Sequence, residues 1–354
     1  MQSPFASRLA KTLTPYVPGE QPRLSRLIKL NTNENPYPPA PSVLEAIADA
    51  AGDLRRYPDP ESVALRESIA KRHGFGLASK NVFTGNGSDE VLGFSFLAFF
   101  DPDAPIVFPD ITYSFYPVYA KLFSIPFREV PLNDDFTLDV EAMAQPSGGV
   151  IFANPNAPTS IELPLVQVRR ILDARPDCVV LVDEAYIEFG KESAVCLVQE
   201  YPNLLVVKTF SKSHALAGLR VGYALGHEDL IQTLNNVKNS FNSYPVDRLA
   251  QAGATAAMRD EAYCTQSIEA VCQTRQESMA ALRAMGFEMP DSNANFLFMK
   301  HKAVPAAALM EQLRARGVIV RRFQNPRIEN YLRVTVGTKE EMQVLMKELQ
   351  DIVK

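Results

Sequence analysis

Two side chains set the chemical problem. Lys212 sits in Thr209-Phe210-Ser211-Lys212-Ser213-His214-Ala215-Leu216-Ala217-Gly218-Leu219-Arg220, which follows the apolar run Leu204-Leu205-Val206-Val207. Asp183 stands 29 positions earlier and closes a second apolar run, Cys178-Val179-Val180-Leu181-Val182. An amine and a carboxylate, each just past a buried strand, suit a cofactor held between them. Pyridoxal 5'-phosphate needs both: a lysine to condense with its aldehyde and an acid to pair with its pyridinium nitrogen. A lysine after a strand is also commonly a solvated loop residue, and an aspartate there a turn former, so the neighbouring residues have to decide.

Those neighbours supply what such a cofactor asks for. Ser211 and Arg220 can both bind a phosphate, and the planar guanidinium fork suits one well. Gly85-Asn86-Gly87-Ser88-Asp89-Glu90 precedes a helical stretch. It reads as a glycine turn with Ser88 as N-cap, and a helix N-terminus is itself an anion site. The segment fits neither G-x-x-x-x-G-K-[ST] nor G-x-G-x-x-G, which disfavours a nucleotide P-loop and an NAD-binding oxidoreductase. Tyr186 follows Asp183 by three positions and is placed to donate to the phenolic oxygen on the far side of the same ring. Tyr113 can stack on a flat cofactor. Arg333, with Arg321 nearby, interrupts the apolar strand Leu332-Arg333-Val334-Thr335-Val336. An unpaired charge there is costly, so it meets either a fixed anionic ligand or a buried carboxylate.

The chain that must position these groups has 354 residues, enough for about two domains. It is 46% hydrophobic and 22% charged, with a net charge of −5 and no block of like charges. That speaks against nucleic acid and anionic membranes as partners. Four cysteines form no C-x-x-C pair, which fits a reducing cytoplasm. The N-terminus lacks the apolar core of a signal peptide, and no run approaches a membrane span. The four histidines are not grouped at metal-ligand spacing, so no metal is expected.

Residues 1–40 are proline-rich and irregular, and read as an arm crossing a surface. Helices are predicted over 42–51, 61–73, 88–100 and 163–174, and strands over 105–108, 149–153, 178–182 and 204–208. Short apolar strands alternating with helices imply an α/β fold with a doubly wound, mostly parallel sheet, which binds ligands at the carboxyl ends of its strands. The motifs after the four strands begin at Pro109, Asn154, Asp183 and Thr209, and must then gather on one edge. Beyond 228 come helices over 228–240 and 246–285, a strand over 295–299, a helix over 304–316, strands over 318–320 and 332–336, and a final helix over 338–353. The expected organisation is an arm over 1–30, a large cofactor domain over 31–245 and a smaller α+β domain over 246–354, joined by part of the arm.

Taken together, Asn31-Thr32-Asn33-Glu34-Asn35-Pro36, Tyr57-Pro58-Asp59-Pro60, the 85–90 segment, Thr112-Tyr113, Asn154-Pro155-Asn156-Ala157-Pro158-Thr159, Asp183-Glu184-Ala185-Tyr186, Ser211-Lys212 through Arg220, and Leu332-Arg333-Val334-Thr335-Val336-Gly337 carry a resemblance. Over nearly its whole length the chain resembles fold-type I aminotransferases, most closely the histidinol-phosphate aminotransferases. The resemblance implies that Lys212 is the Schiff-base lysine and proton shuttle, Asp183 the pyridinium partner and Tyr186 the partner of the ring oxygen. It puts Gly87, Ser88, Asp89, Ser211 and Arg220 around the cofactor phosphate and Tyr113 on the ring. It implies a homodimer in which Tyr57 reaches the neighbouring subunit's cofactor. Arg321 and Arg333 correspond to the pair that grips the substrate's anion, with Tyr16 and Asn33 also on the substrate side. Many relatives carry Asn directly before the proline where this chain has Ala157, and glycine where it has Ser160. Asn156 is then the residue to hold the ring oxygen or to contact substrate. The implied reaction interconverts histidinol phosphate plus 2-oxoglutarate and imidazole acetol phosphate plus glutamate, in histidine biosynthesis, with ping-pong kinetics. An aromatic amino-acid aminotransferase or a pyridoxal-phosphate-dependent phospho-amino-acid decarboxylase would share most of these residues.

Overall fold

Continuous Val/Ile/Leu runs become strands buried on both faces, because helices cover both sides of a parallel sheet. The computed structural model describes residues 3–16, 18–21 and 27–354; parts of the arm, Pro22 among them, lie outside the described residues. The arm carries a short helix, α1 (Arg8–Thr12), capped by Ser7, and ends in β1 (Ile28–Lys29). After α2 (Pro41–Ala51) and α3 (Val63–His73) the chain lays down β2 (Val82–Asn86), α4 (Gly87–Phe99), β3 (Ile106–Pro109), α5 (Tyr116–Leu122), β4 (Phe127–Val130), α6 (Val140–Met143), β5 (Gly149–Ala153), α7 (Leu165–Ala174), β6 (Val180–Asp183), β7 (Leu204–Thr209) and β8 (Val221–Gly226).

These strands form one seven-stranded sheet in the order β2-β8-β7-β6-β5-β3-β4. The block from β7 through β4 is parallel throughout, and β8 runs antiparallel to both of its neighbours. Alternation along the strands feeds two cores. Phe152, Val182 and Val206 pack on the face covered by α2, α3 and α7, while Ile151, Leu181 and Val207 pack under α4 and α5. The expected doubly wound, mostly parallel sheet is therefore present.

Three strands of this sheet carry weak signals in the sequence. β4 is an edge strand whose Arg128 and Glu129 are exposed. β2 runs straight into the glycine turn, and β8 is punctuated by Gly222 and Gly226. Gly222 is there for close approach: a Cβ would stand 2.3 Å from the Ser88 backbone nitrogen.

The second unit begins after α8 (Glu228–Phe241) and α9 (Arg248–Arg259) with α10 (Glu261–Ala284). The single long helix expected over 246–285 is two helices, because Asp260 leaves helical geometry and accepts the Tyr263 N–H as N-cap of α10. Then follow β9 (Phe287–Glu288), β10 (Phe296–His301), α11 (Ala306–Ala315), β11 (Val318–Ile319), β12 (Arg321–Arg322), β13 (Leu332–Thr335) and α12 (Lys339–Val353). An antiparallel sheet, β12-β13-β10-β9, packs on α10, α11 and α12 through Leu297, Val334, Leu309 and Leu345.

The arm enters this unit. β1 pairs in parallel with β11, and Leu30 donates to Ile319 O and accepts from Thr335 N–H. By contrast, Val246, Ala250, Ala254 and Met258 belong to the core of the large sheet. We therefore propose Arg259, rather than 245, as the end of the large domain. Among the described residues no helix is long and apolar enough to cross a membrane.

Candidate active site

The parallel strands bring their terminal motifs to one edge, where a cavity of about 480 Å³ opens between the large sheet, the arm and the second sheet. That volume suits a small-molecule ligand. Its walls hold Asp183 and Tyr186 from the end of β6, and Ser211, Lys212 and Arg220 from beyond β7. Ser88 and Asp89 at the start of α4, Tyr113 before α5, Tyr16 and Asn33 from the arm, and Arg321 and Arg333 from the second sheet complete them.

Asp183 is almost fully buried. The Tyr116 hydroxyl donates to its Oδ2 (2.9 Å) and the Ala185 N–H to its Oδ1 (3.2 Å). Burial pushes its carboxyl up to about 6, against the pull of these two donors. At neutral pH it is thus still a carboxylate, in a place that rewards a cation beside it. Lys212 lies across the cavity, its Nζ donating to Thr32 O (3.2 Å). Burial first, and then the Arg333 guanidinium, lower its ammonium to about 8. Near neutrality a useful fraction of Lys212 is therefore free base and nucleophilic.

Tyr186 accepts a hydrogen bond from Asn33 Nδ2 (2.9 Å), which leaves its own O–H free to donate. Asn33 is held with φ 56°, and both its N–H and its Oδ1 are bonded to the Thr335 hydroxyl. The arm thereby fixes a phenol of the large domain by way of the second sheet.

One end of the cavity is built for an anion. Ser88 is the second residue of α4 rather than its cap, and no side chain caps this helix. The first-turn N–H groups therefore keep their affinity for a negative ligand. Gly87 has φ +77°, and a Cβ there would meet Arg220 Nη2 at 2.5 Å, so only glycine lets the guanidinium settle against the turn. Arg220 Nη2 bonds Asp89 Oδ2 (2.9 Å), and the Tyr113 hydroxyl donates to Asp89 Oδ1 (2.8 Å). Asp89 is thus a brace for Arg220 and Tyr113, and what it can offer an anion is its backbone N–H. Ser211 Oγ accepts from the Thr209 hydroxyl (3.0 Å), leaving its own proton free.

The other end is also cationic. Arg321 and Arg333 are direct cross-strand partners on β12 and β13. Like charges directly opposite are destabilising unless something negative joins them. Among the described residues no carboxylate lies within salt-bridge reach of Arg333; its Nη2 donates to Asn31 O (3.0 Å) and its buried Nε has no acceptor. Of the two partners open to Arg333 in the sequence, the structure favours the anionic ligand.

The whole-chain comparisons agree with this chemistry. The family described as aminotransferase class I and II matches residues 25–349. The chain belongs to that family. This aminotransferase is 54% identical over 352 residues to histidinol-phosphate aminotransferase of Acetobacter pasteurianus, covering 99% of this chain and 98% of that one. It is 52% identical over 348 residues to histidinol-phosphate aminotransferase 1 of Pseudomonas aeruginosa, covering 98% and 99%. Its fold matches the histidinol-phosphate aminotransferase of Sinorhizobium meliloti, solved in complex with pyridoxal-5'-phosphate, with TM-score 0.89 and 26% identity over 99% and 98% of the two chains.

Three residues singled out in the sequence, Gly87, Asn156 and Tyr57, are not among those that line the aminotransferase's cavity. Asn156 spends its amide on its own loop: Nδ2 donates to Ile111 O (2.9 Å) and Thr159 Oγ1 (3.0 Å), and Oδ1 accepts from Thr112 (2.9 Å). Ala157 lines the cavity in its place. Tyr57 lies on the surface, 79% exposed and stacked on Tyr244.

Tyr116 and Asn35 are contributors that sequence reasoning missed. Asn35 Nδ2 donates to the Lys212 carbonyl (3.0 Å). Asn35 lies inside a recognised motif and Tyr116 three residues beyond Tyr113, but nothing in their type or spacing announces a supporting role. Removing the Tyr116 hydroxyl takes away a donor that lowers Asp183. The variant Tyr116→Phe should therefore raise the acid limb of the kcat/KM profile by about one pH unit. A pH-rate profile of the variant checks this; an unmoved limb removes Tyr116 from the account.

Proposed function

We propose that this aminotransferase uses pyridoxal 5'-phosphate to move an amino group between histidinol phosphate and 2-oxoglutarate, giving imidazole acetol phosphate and glutamate, in the histidine biosynthesis of the cytoplasm. The observation that carries the substrate reading is the pair of facing guanidiniums, Arg321 and Arg333, at the substrate end of the cavity. A guanidinium fork accepts phosphate and carboxylate alike, as two alternating anionic substrates require.

When bound, the cofactor supplies an electron sink for the charge that develops at the substrate's Cα. The chain's own residues do the rest. Arg220, Ser211 and the open first turn of α4 hold the cofactor's phosphate. Asp183 keeps a proton on the ring nitrogen, and Tyr186, oriented by Asn33, donates to the ring oxygen. Lys212 Nζ takes the Cα proton as base and gives a proton back as acid. Tyr113 and the stacked pair Tyr16 and Phe115, 4.5 Å between centroids, wall the cavity against water.

The test is a visible spectrum of the purified protein with the cofactor, before and after histidinol phosphate, together with product analysis. Loss of the bound chromophore's colour and release of imidazole acetol phosphate are expected. Carbon dioxide release would make the protein a decarboxylase. Turnover of phenylalanine without turnover of histidinol phosphate would make it an aromatic enzyme. Arg333→Gln should raise KM for both substrates about 10- to 100-fold with a smaller change in kcat, the worth of a charged hydrogen bond. An unchanged KM would detach Arg333 from the substrate.

A homodimer is part of the reading. Tyr57 is exposed yet firmly carried: Arg248 bonds Tyr57 O, Gln251 bonds Asp59 O and Lys238 bonds Pro60 O, each at 2.8 Å. A fixed loop presenting an exposed phenol suits a role in the partner's site. Tyr57→Phe should weaken cofactor retention about tenfold, one hydrogen bond to a charged oxygen. Equilibrium dialysis reads the effect, and equal affinity would return Tyr57 to the surface.

A further inference from the structure

One buried cation stands behind the catalytic edge without facing the cavity. Lys208 on β7 is 2% exposed, and its Nζ lies 3.2 Å from Glu184 Oε2 and 2.9 Å from Glu188 Oε1. Glu184 is fully buried; its Oε2 also accepts from the Ser193 hydroxyl (2.5 Å) and its Oε1 from the Ala194 N–H (2.6 Å). Consecutive side chains leave a strand on opposite faces. Asp183 and Thr209 therefore turn toward the cavity, and neither Glu184 nor Lys208 is part of its walls.

Stability does not explain this group. Desolvation offsets most of the attraction in a buried ion pair, and apolar replacements of similar size are often neutral or better. The placement suggests another purpose. β6 ends at Asp183, and Glu184 is the next residue. β7 carries Lys208 and runs through Thr209, Phe210 and Ser211 into Lys212. One ammonium thus ties the residue after Asp183 to the strand that delivers Lys212. Through Glu188 it also closes the turn that carries Tyr186. Three groups that must meet one flat ring leave the scaffold at points joined by Lys208.

We propose that Lys208, gripping Glu184 and Glu188, is a positioning residue that fixes the mutual placement of Asp183, Tyr186 and Lys212 without touching cofactor or substrate. This rests on the pyridoxal-phosphate reading above. A misplacement on the order of 1 Å costs up to about 100-fold in rate, so the clamp acts on turnover rather than on binding.

Holoenzyme is compared with two variants. Glu188→Gln leaves the neutral pair Lys208 and Glu184 in the core and alters a position that is 20% exposed. Lys208→Met/Glu184→Gln removes the link together with both buried charges. We expect kcat to fall about threefold in the first and about tenfold in the second, with KM for glutamate within about twofold. The visible circular dichroism of the bound cofactor, which reports the tilt of its ring, should change in the same order. A purely structural role would shift the thermal midpoint and leave dichroism and kcat alone; that result in the folded variants overturns the proposal. If the double variant does not fold, Glu188→Gln decides alone, and wild-type kcat with unchanged dichroism overturns it. Failure of the underlying reading shows separately, as a wild-type protein that neither binds pyridoxal phosphate nor transfers an amino group.

Discussion

Lys212→Ala is expected to lower amino transfer by about 10⁴-fold, the upper range for a positioned acid-base group, and to abolish the long-wavelength absorbance of the protein mixed with pyridoxal phosphate. Two facts make the loss this large. Among the described residues Lys212 is the one lysine in the cavity wall, so no other described lysine there can substitute. Its surroundings also bring the ammonium from the ordinary 10.5 down to about 8. At pH 7 that raises the free-amine fraction roughly 300-fold over an unperturbed lysine. The same shift sets a pH dependence for the wild type. Addition of the aldehyde to cofactor-free protein should slow about tenfold per pH unit below 8 and level off above it. Stopped-flow absorbance measures this directly. A variant that keeps turnover or colour, or a rate without a bend near 8, would mean that another amine does the work.

Asp183→Asn is expected to cut kcat by about 100- to 1000-fold with KM little changed, because the charge that holds a proton on the cofactor's ring nitrogen acts on the transition state. Stability should hardly move. Folding raises this carboxyl from 3.8 to about 6. The ionised form therefore costs the fold about 3 kcal/mol above pH 6 and nothing below 3.8. Asparagine lifts that cost. Against it, the Tyr116 hydroxyl and the Ala185 N–H now compete for one oxygen where each had its own, a loss on the order of 1–3 kcal/mol. Thermal unfolding of the cofactor-free variant should lie close to wild type, so a loss of turnover reads as chemistry. Wild-type kcat would end the assignment of Asp183.

Much of this was legible in the residues. The runs ending at Asp183 and Thr209 announced parallel strands, and their continuations announced a ligand edge. The quiet strands were those lacking an apolar run: β4 exposes Arg128 and Glu129, and β8 holds glycines that resemble a turn until Ser88 is seen packed against one of them. Motif matching placed Asn156 by its neighbours in sequence, but its amide is consumed by local carbonyl and hydroxyl groups that only folded coordinates reveal. Tyr116, Asn35 and Lys208 act through a second residue, and sequence patterns carry no direct mark of such indirect contacts.

The opposed guanidiniums on β12 and β13 also have a practical side. A receptor shaped for the anionic groups of two substrates accepts other small oxyanions in the medium as well. Inorganic phosphate or sulfate in a buffer should therefore compete with both substrates and inflate apparent Michaelis constants. Kinetic work on this enzyme belongs in zwitterionic buffers, with added oxyanion treated as an inhibitor rather than as background electrolyte.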